Sequence, residues 1–245
     1  MYDLKSNGQD GENMKIGIIG AMDVEVEEII NNMTEKKTED VGHLHFVEGF
    51  IGKTPVVIAK SGVGKVSAGI CTQTLILKFN VTCVINTGIA GGIASELSIM
   101  DTVISTDAMY HDFDATEFGY KRNEVPGLGT ISFPADEKLI ELAERSYEDG
   151  VKSGRLHKKV VKGRVATGDV FVNSSIKKSE LKAMCDPACV EMEGAAIAQV
   201  CYLNKIPYVI LRSISDLAEN TTEVYMEKEA ALENAYIVMN MIKLM

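Results

Sequence analysis

Apolar and polar positions change period repeatedly along the chain, and each change predicts an element. Residues 15–20 (Lys-Ile-Gly-Ile-Ile-Gly) form a short apolar run ending in glycine, the pattern of a strand buried on both faces. From Asp23 the spacing turns helical, with Val26, Ile29, Ile30 and Met33 at i, i+3, i+4 and i+7. Residues 43–50 and 55–60 read as two strands joined at Gly52-Lys53, a hairpin. Residues 64–79 read as a helix that includes Val66, Ile70, Leu75 and Leu77. Residues 83–86 read as a buried strand closed by Thr87-Gly88 and Gly91-Gly92, and residues 102–105 as another. Downstream, the pattern predicts a helix over 135–150, a strand over 159–166 and helices over 176–185 and 193–204. A strand over 208–214 and a closing helix over 224–245 follow. Buried strands alternating with helices predict one α/β domain: a largely parallel or mixed sheet with helices on both faces. In such sheets ligands bind outside the carboxyl ends of the strands, which directs attention to the residues just after each strand.

Composition narrows the function classes. With 25 basic and 35 acidic residues the formal net charge is −10, and no basic stripe is present; Lys177-Lys178 has Glu180 beside it. Such a chain is a poor polyanion binder, so no nucleic acid is expected as partner. No apolar run reaches the roughly 18–20 residues of a membrane span, so no membrane partner is expected either. Residues 1–13 are polar, contain no apolar signal region and are expected to be a disordered extension ahead of a single domain spanning 14–245. The five cysteines, Cys71, Cys83, Cys185, Cys189 and Cys201, are odd in number and form no Cys-x-x-Cys. They read as free thiols in a reducing cytoplasm.

Several motif matches fail on spacing. Gly17-Ile-Ile-Gly20 lacks the third glycine of a dinucleotide fingerprint, and Ser61-Gly-Val-Gly-Lys65 is too short for a P-loop and is followed by Val66 in place of Ser or Thr. The second reads as a strand-to-helix turn. His43, His45, His111 and His157 have no metal-helix spacing and no evident nucleophile partner; His43 and His45 read as solvent-facing, and His111-Asp112 as a loop-ordering pair.

Three acids lie where the strand-end rule points. Glu25 falls in the first turn of the first helix, where N–H groups and the helix dipole favour an ionised carboxylate able to orient a water and take its proton; a solvated first-turn glutamate is the plain alternative. Asp216 closes Arg212-Ser-Ile-Ser-Asp216 at an apolar strand end, where partial desolvation favours a protonated general acid; a helix N-cap is the rival role. Glu193 lies between Val190-Glu191-Met192 and Gly194-Ala195-Ala196. Two glutamates on one side of an extended segment must be hydrated or bonded, and a carboxylate accepting two sugar hydroxyls meets that need; a helix-capping glutamate does so as well.

Taken with their flanks, these acids carry a resemblance. Residues 14–25 (Met-Lys-Ile-Gly-Ile-Ile-Gly-Ala-Met-Asp-Val-Glu), 61–65, 85–92 (Ile-Asn-Thr-Gly-Ile-Ala-Gly-Gly), Tyr110-His111-Asp112, 167–171 (Thr-Gly-Asp-Val-Phe), 190–193 (Val-Glu-Met-Glu) and 212–216 closely resemble bacterial 5′-methylthioadenosine/S-adenosylhomocysteine nucleosidases, in the same order from Met14 to the C-terminus. The resemblance implies a nucleoside-phosphorylase-like, three-layer αβα sandwich around a central mixed, twisted sheet, assembled as a homodimer. It implies irreversible hydrolysis of the N-glycosidic bond of methylthioadenosine and S-adenosylhomocysteine, with 5′-deoxyadenosine as a further substrate, and no metal or organic cofactor. By position, Asp216 corresponds to the acid at purine N7, Ser215 to its positioning residue, and Glu25 to the carboxylate that binds the attacking water. Glu193 corresponds to the acceptor of the ribose hydroxyls, with Met192 and Met22 on the ribose pocket and Arg212 in the water and glutamate network. Phe171 corresponds to the aromatic stacked on adenine, and Val172 offers backbone groups to the purine edge. Phe118 and Pro126 correspond to residues lent by the other subunit around the 5′-alkylthio group. Ile89 departs from the pattern, standing where Ser is expected, so that backbone N–H groups of Ala90 and Gly91 are left to serve the water site; Asp23 stands for an expected Glu.

Three other functions remain open on sequence. A phosphorylase of the same fold needs cationic groups on phosphate, whereas Ala21-Met22-Asp23 and Glu25 follow the first strand here. A futalosine-type nucleoside hydrolase shares the chemistry. A catalytically silent purine-nucleoside binding protein would not need a water-directing acid.

Overall fold

The computed structural model describes residues 14–219 and 226–245; the extension expected at 1–13, and the first two residues of the expected closing helix, lie outside the described residues. Ten strands and six helices are described: β1 (Ile16–Gly20), α1 (Asp23–Asn31), β2 (Thr34–Val41), β3 (Leu44–Ile51), β4 (Thr54–Lys60), α2 (Lys65–Phe79), β5 (Cys83–Gly92), β6 (Thr102–Tyr110), β7 (Phe133–Pro134), α3 (Glu137–Lys152), β8 (Val160–Thr167), α4 (Ser175–Cys185), β9 (Cys189–Glu191), α5 (Gly194–Asn204), β10 (Tyr208–Asp216) and α6 (Glu227–Leu244).

Alternation along β1 builds the two faces. Ile16 and Ile18 enter one core with Val26 and Ile29 of α1, Leu139 and Ala143 of α3 and Ala235, Val238 and Met241 of α6. Ile19 enters the other with Ala68, Cys71 and Leu75 of α2 and Ala195, Ile197 and Cys201 of α5. β4 repeats the alternation, with Val56 and Ile58 on one side and Val57 and Ala59 on the other. Helices therefore cover both faces of a mixed sheet, as the sequence implies.

The sheet is not a simple sandwich layer. β10 pairs in parallel with β5 and antiparallel with β6. β6 continues to β8, β8 to β9, and β9 returns antiparallel to β5, which closes a five-strand ring. β1, β4, β3 and β2 extend from β5 as an open wing, and β7 pairs with β6. The expected three-layer αβα sandwich around a central twisted sheet is corrected accordingly: β10 bridges β5 and β6, and the short β9, parallel to β8 and antiparallel to β5, seals the remaining gap.

Two strands differ from their expected lengths. β5 runs through Thr87-Gly88 to Gly92 and is buried throughout, so its glycines are strand residues and not a terminating turn. β6 continues to Tyr110 beyond the expected end at Ser105. β2 (Thr-Glu-Lys-Lys-Thr-Glu-Asp-Val) has no apolar alternation and is exposed for seven of its eight residues, an edge strand whose charges discourage further pairing.

Candidate active site

Chain segments that leave strand ends converge on a cleft of about 220 Å³ lined by Ala21, Met22, Glu25, Val63, Ile89, Ala90, Gly91, Phe171, Val190, Glu191, Met192, Glu193, Ser215 and Asp216. Val172 lines a smaller recess beside it, which shares Phe171, Met192 and Asp216. Glu25, Glu193 and Asp216, far apart in sequence, thus face one hollow.

Glu25 is 4% exposed. Its Oε2 accepts from the N–H groups of Ala21 (2.6 Å) and Met22 (3.0 Å), and its Oε1 from Ile89 N–H (3.1 Å). The bond from Met22, the residue before α1, ties the helix start to its own third residue. Burial pushes the Glu25 carboxyl above the usual carboxylate range, outweighing the nearby Arg212 charge and these three N–H groups. The expectation that its helix position would dominate gives way to burial: the Glu25 side chain lies inside the protein, although Asp23 in the same turn is on the surface. The donor on the β5 side is Ile89 N–H; Ala90 and Gly91 line the cleft and take part in the ladders with β10 and β9.

The opposite wall is a buried charge cluster. Glu193 Oε1 accepts from Gly64 N–H at 2.8 Å. Glu191 Oε2 accepts from Arg212 Nη2 (2.6 Å), Glu193 N–H (3.1 Å) and Gly194 N–H (2.7 Å), and its Oε1 accepts from Thr167 Oγ1. Arg212, 2% exposed, also donates to Asn86 Oδ1 at 2.6 Å. One guanidinium faces three carboxylates. Burial and the Glu191 charge push Glu193 up to about 7. Burial alone would depress Arg212, but Glu191, Glu25 and Glu193 hold it above the usual guanidinium value.

At the third corner, Asp216 Oδ2 accepts from Ser215 Oγ (2.9 Å) and Oδ1 from Ala218 N–H (2.8 Å). The β10–β5 register shifts between Ile214 and Asp216. A bulge of this kind re-aims side chains, and both Ser215 and Asp216 line the cleft here. Phe171 and Met192 supply apolar lining, and Phe171 remains 65% exposed.

Other sequence expectations divide. Arg212 lies behind the cleft and not on its surface. Phe118, 85% exposed on a one-turn helix at Thr116–Phe118, and Pro126, also exposed, do not line the cleft of this single chain. Asp23 is on the surface in an ion pair with Lys60. Val63, Val190 and Glu191 were not singled out as site residues by sequence reasoning; the Val190-Glu-Met-Glu193 spacing was the one signal that could have drawn Glu191 in.

Comparison with known proteins fits this geometry. The profile of the Phosphorylase superfamily matches residues 15–243. A curated 5′-methylthioadenosine/S-adenosylhomocysteine nucleosidase from Bacillus subtilis is 40% identical over 236 residues, covering 94% of this chain and 99% of the relative. The chain belongs to this nucleosidase family. Among solved structures, the family member from Neisseria meningitidis in complex with methylthio-immucillin-A superposes with a TM-score of 0.88 at 35% identity, covering 95% of this chain and 100% of that one. A futalosine hydrolase of Helicobacter pylori superposes with a TM-score of 0.86 at 29% identity, covering 95% and 98%. The fold is thus the mixed α/β fold shared by these nucleosidases.

Proposed function

We propose that the protein hydrolyses the N-glycosidic bond of 5′-methylthioadenosine and S-adenosylhomocysteine, releasing adenine, with 5′-deoxyadenosine as a further substrate. The observation that carries this is the placement of Glu25, Glu193 and Asp216 on one cleft, with the neighbouring cation, Arg212, buried behind it and engaged by Glu191 and Asn86. Cleavage develops positive charge on the ribose and negative charge on the departing purine. Asp216, oriented by Ser215, protonates N7 and makes adenine a better leaving group. Glu193 accepts the ribose hydroxyls, and the anionic wall it shares with Glu191 offsets the oxocarbenium charge. Glu25, held by Ala21, Met22 and Ile89, aligns water and takes its proton; a carboxyl raised by burial is a stronger base than a solvated one. Phe171 stacks on the base, Val172 backbone groups meet the purine edge, Ala90 and Gly91 floor the cleft, and Met22 and Met192 flank the ribose.

Phosphorolysis is disfavoured by the same electrostatics: a phosphate dianion entering beside Glu25 and Glu193 meets carboxylates, and Arg212 has its Nη2 already committed. A futalosine-type nucleoside is the second substrate worth assaying, since the Helicobacter pylori futalosine hydrolase shares the fold.

A homodimer completes the site in this reading, with Phe118 and Pro126 closing the 5′ end of the partner's cleft. Val66, Ile70 and Leu77, spaced along one face of α2, are 73%, 47% and 71% exposed, an apolar surface suited to a second subunit. The unit is one domain over 14–245, consistent with the profile match, and it works in the cytoplasm, where five free cysteines stay reduced. Adenine release from methylthioadenosine, S-adenosylhomocysteine and a futalosine-type nucleoside tests the assignment. Fast release from the first two is expected; turnover of the third alone would overturn it.

A further inference from the structure

The rim of the cleft carries a device that the proposed chemistry does not use. Lys65 is the first residue of α2, where the helix dipole disfavours a cation. Two aspartates compensate. Lys65 Nζ donates to Asp112 Oδ2 at 2.7 Å and lies 3.6 Å from Asp169 Oδ2, while Lys65 N–H donates to Asp169 Oδ1 at 2.9 Å. Asp112 Oδ2 also accepts from Asp169 N–H at 3.0 Å. The Lys65 and Asp112 side chains are 24% and 22% exposed, and Nζ stands 5.5 Å from the centre of the Tyr110 ring. Three segments meet at this one ammonium: the turn after β4, the turn after β6 and the turn after β8.

Each segment leads to the cleft. One residue before Lys65, Gly64 donates its N–H to Glu193; a Cβ there would lie 3.1 Å from Asp169 Oδ1 at a backbone φ of +97°. Val63, before it, lines the cleft while 54% exposed. Two residues after Asp169, Phe171 lines the cleft while 65% exposed, so packing of its own ring does not fix it. Its segment is anchored by Asp169 on one side and by buried Val172 on the other.

We propose that Lys65 is a positioning residue for the purine end of the site, its ammonium latching Asp112 to Asp169 so that the lip bearing Phe171 and the Gly64 N–H on Glu193 keep their places. This rests on the reading of the cleft as a purine-nucleoside site. Lys65 touches no reacting atom, so its loss acts on binding more than on bond cleavage.

The test uses Lys65→Met, Lys65→Arg and Asp112→Asn in the full-length protein, by steady-state adenine release from methylthioadenosine and by amide hydrogen exchange. Lys65→Met should raise KM about tenfold, with kcat falling less than threefold. It should also speed exchange across 168–174 and at Gly64. Lys65→Arg should bring KM back to within threefold of wild type, and Lys65→Met/Asp112→Asn should be no worse than Lys65→Met alone. An unchanged KM, no rescue by arginine, or additive losses in the double variant would overturn the latch. If Lys65→Met does not fold, Asp112→Asn alone must show the KM rise and the faster exchange, or the latch is wrong. Wild-type protein that releases no adenine would sink the nucleosidase reading instead, while hydrogen exchange would still report on the latch.

Discussion

In the proposed reaction Asp216 and Glu193 act at the two ends of one bond, and each carries a separate prediction. Asp216→Asn keeps the Ser215 bond but cannot donate a proton, so kcat should fall by about 10³-fold or more while adenine binding is retained; a loss under tenfold, read by adenine release, would remove Asp216 as the acid. In that reaction Glu193 accepts both ribose hydroxyls and opposes the developing ribose charge as the ionised carboxylate, and its carboxyl is pushed up to about 7. As pH falls through 7 it protonates, so kcat/KM should drop on the acid side; a pH–rate profile flat from 8 to 5.5 would contradict this. The same shift has a stability sign. A carboxyl whose folded value lies above its unfolded one stabilises the native state below about 4.5, and that contribution is lost as pH rises towards 7. Glu193→Gln should therefore raise Tm relative to wild type at pH 8 and much less at pH 5, by thermal melts. Glu25 and Asp216 were visible in the sequence because each follows an apolar strand. Glu191 was harder to assign: its role comes from Arg212 and Thr167, distant in sequence, and from the N–H groups of a helix start.

β5 shows why element boundaries were harder to read than elements. Its Gly88, Gly91 and Gly92 look like punctuation in a sequence, yet all ten of its residues are buried strand. The glycines are there because other groups fill the space of a side chain: a Cβ on Gly88 would lie 2.5 Å from Glu25 Oε1 and 3.1 Å from Arg212 Nη1, and one on Gly91 would lie 3.0 Å from Ala218 Cβ. Gly88→Ala should thus displace the Glu25 carboxylate, cutting kcat by more than about 10²-fold with a lowered Tm; wild-type kinetics and Tm would show that the strand yields freely. β2 was missed for the opposite reason. A strand exposed on both faces needs no apolar alternation, and its pairing with β3 supplies the only local cause. α1 was legible because its apolar residues recur at helical spacing, and α5 because it is rich in alanine; α2 was legible as an apolar stretch, although Val66, Ile70 and Leu77 of the pattern prove exposed and its buried face is Ala68, Cys71, Thr72, Leu75 and Phe79.

For the whole molecule, the sequence indicated helices on both sides of a mixed sheet but not the closure of five strands into a ring, since closure depends on β10 meeting both β5 and β6. Assembly is likewise a property of the whole. Phe118 lies far out on the surface of one chain, so its proposed role requires a second. Phe118→Ala should raise KM for methylthioadenosine several-fold with little change in Tm, and sedimentation at assay concentration should show a dimer; a fully active monomer would count against both borrowed contacts. In the proposed reaction the anionic cleft also favours water over phosphate as the incoming nucleophile. Adenine release from methylthioadenosine, followed from zero to saturating inorganic phosphate at constant ionic strength, tests it most directly. Full activity without phosphate and a rate that phosphate does not increase are expected, whereas a rate that vanishes without phosphate and rises with its concentration would contradict hydrolysis.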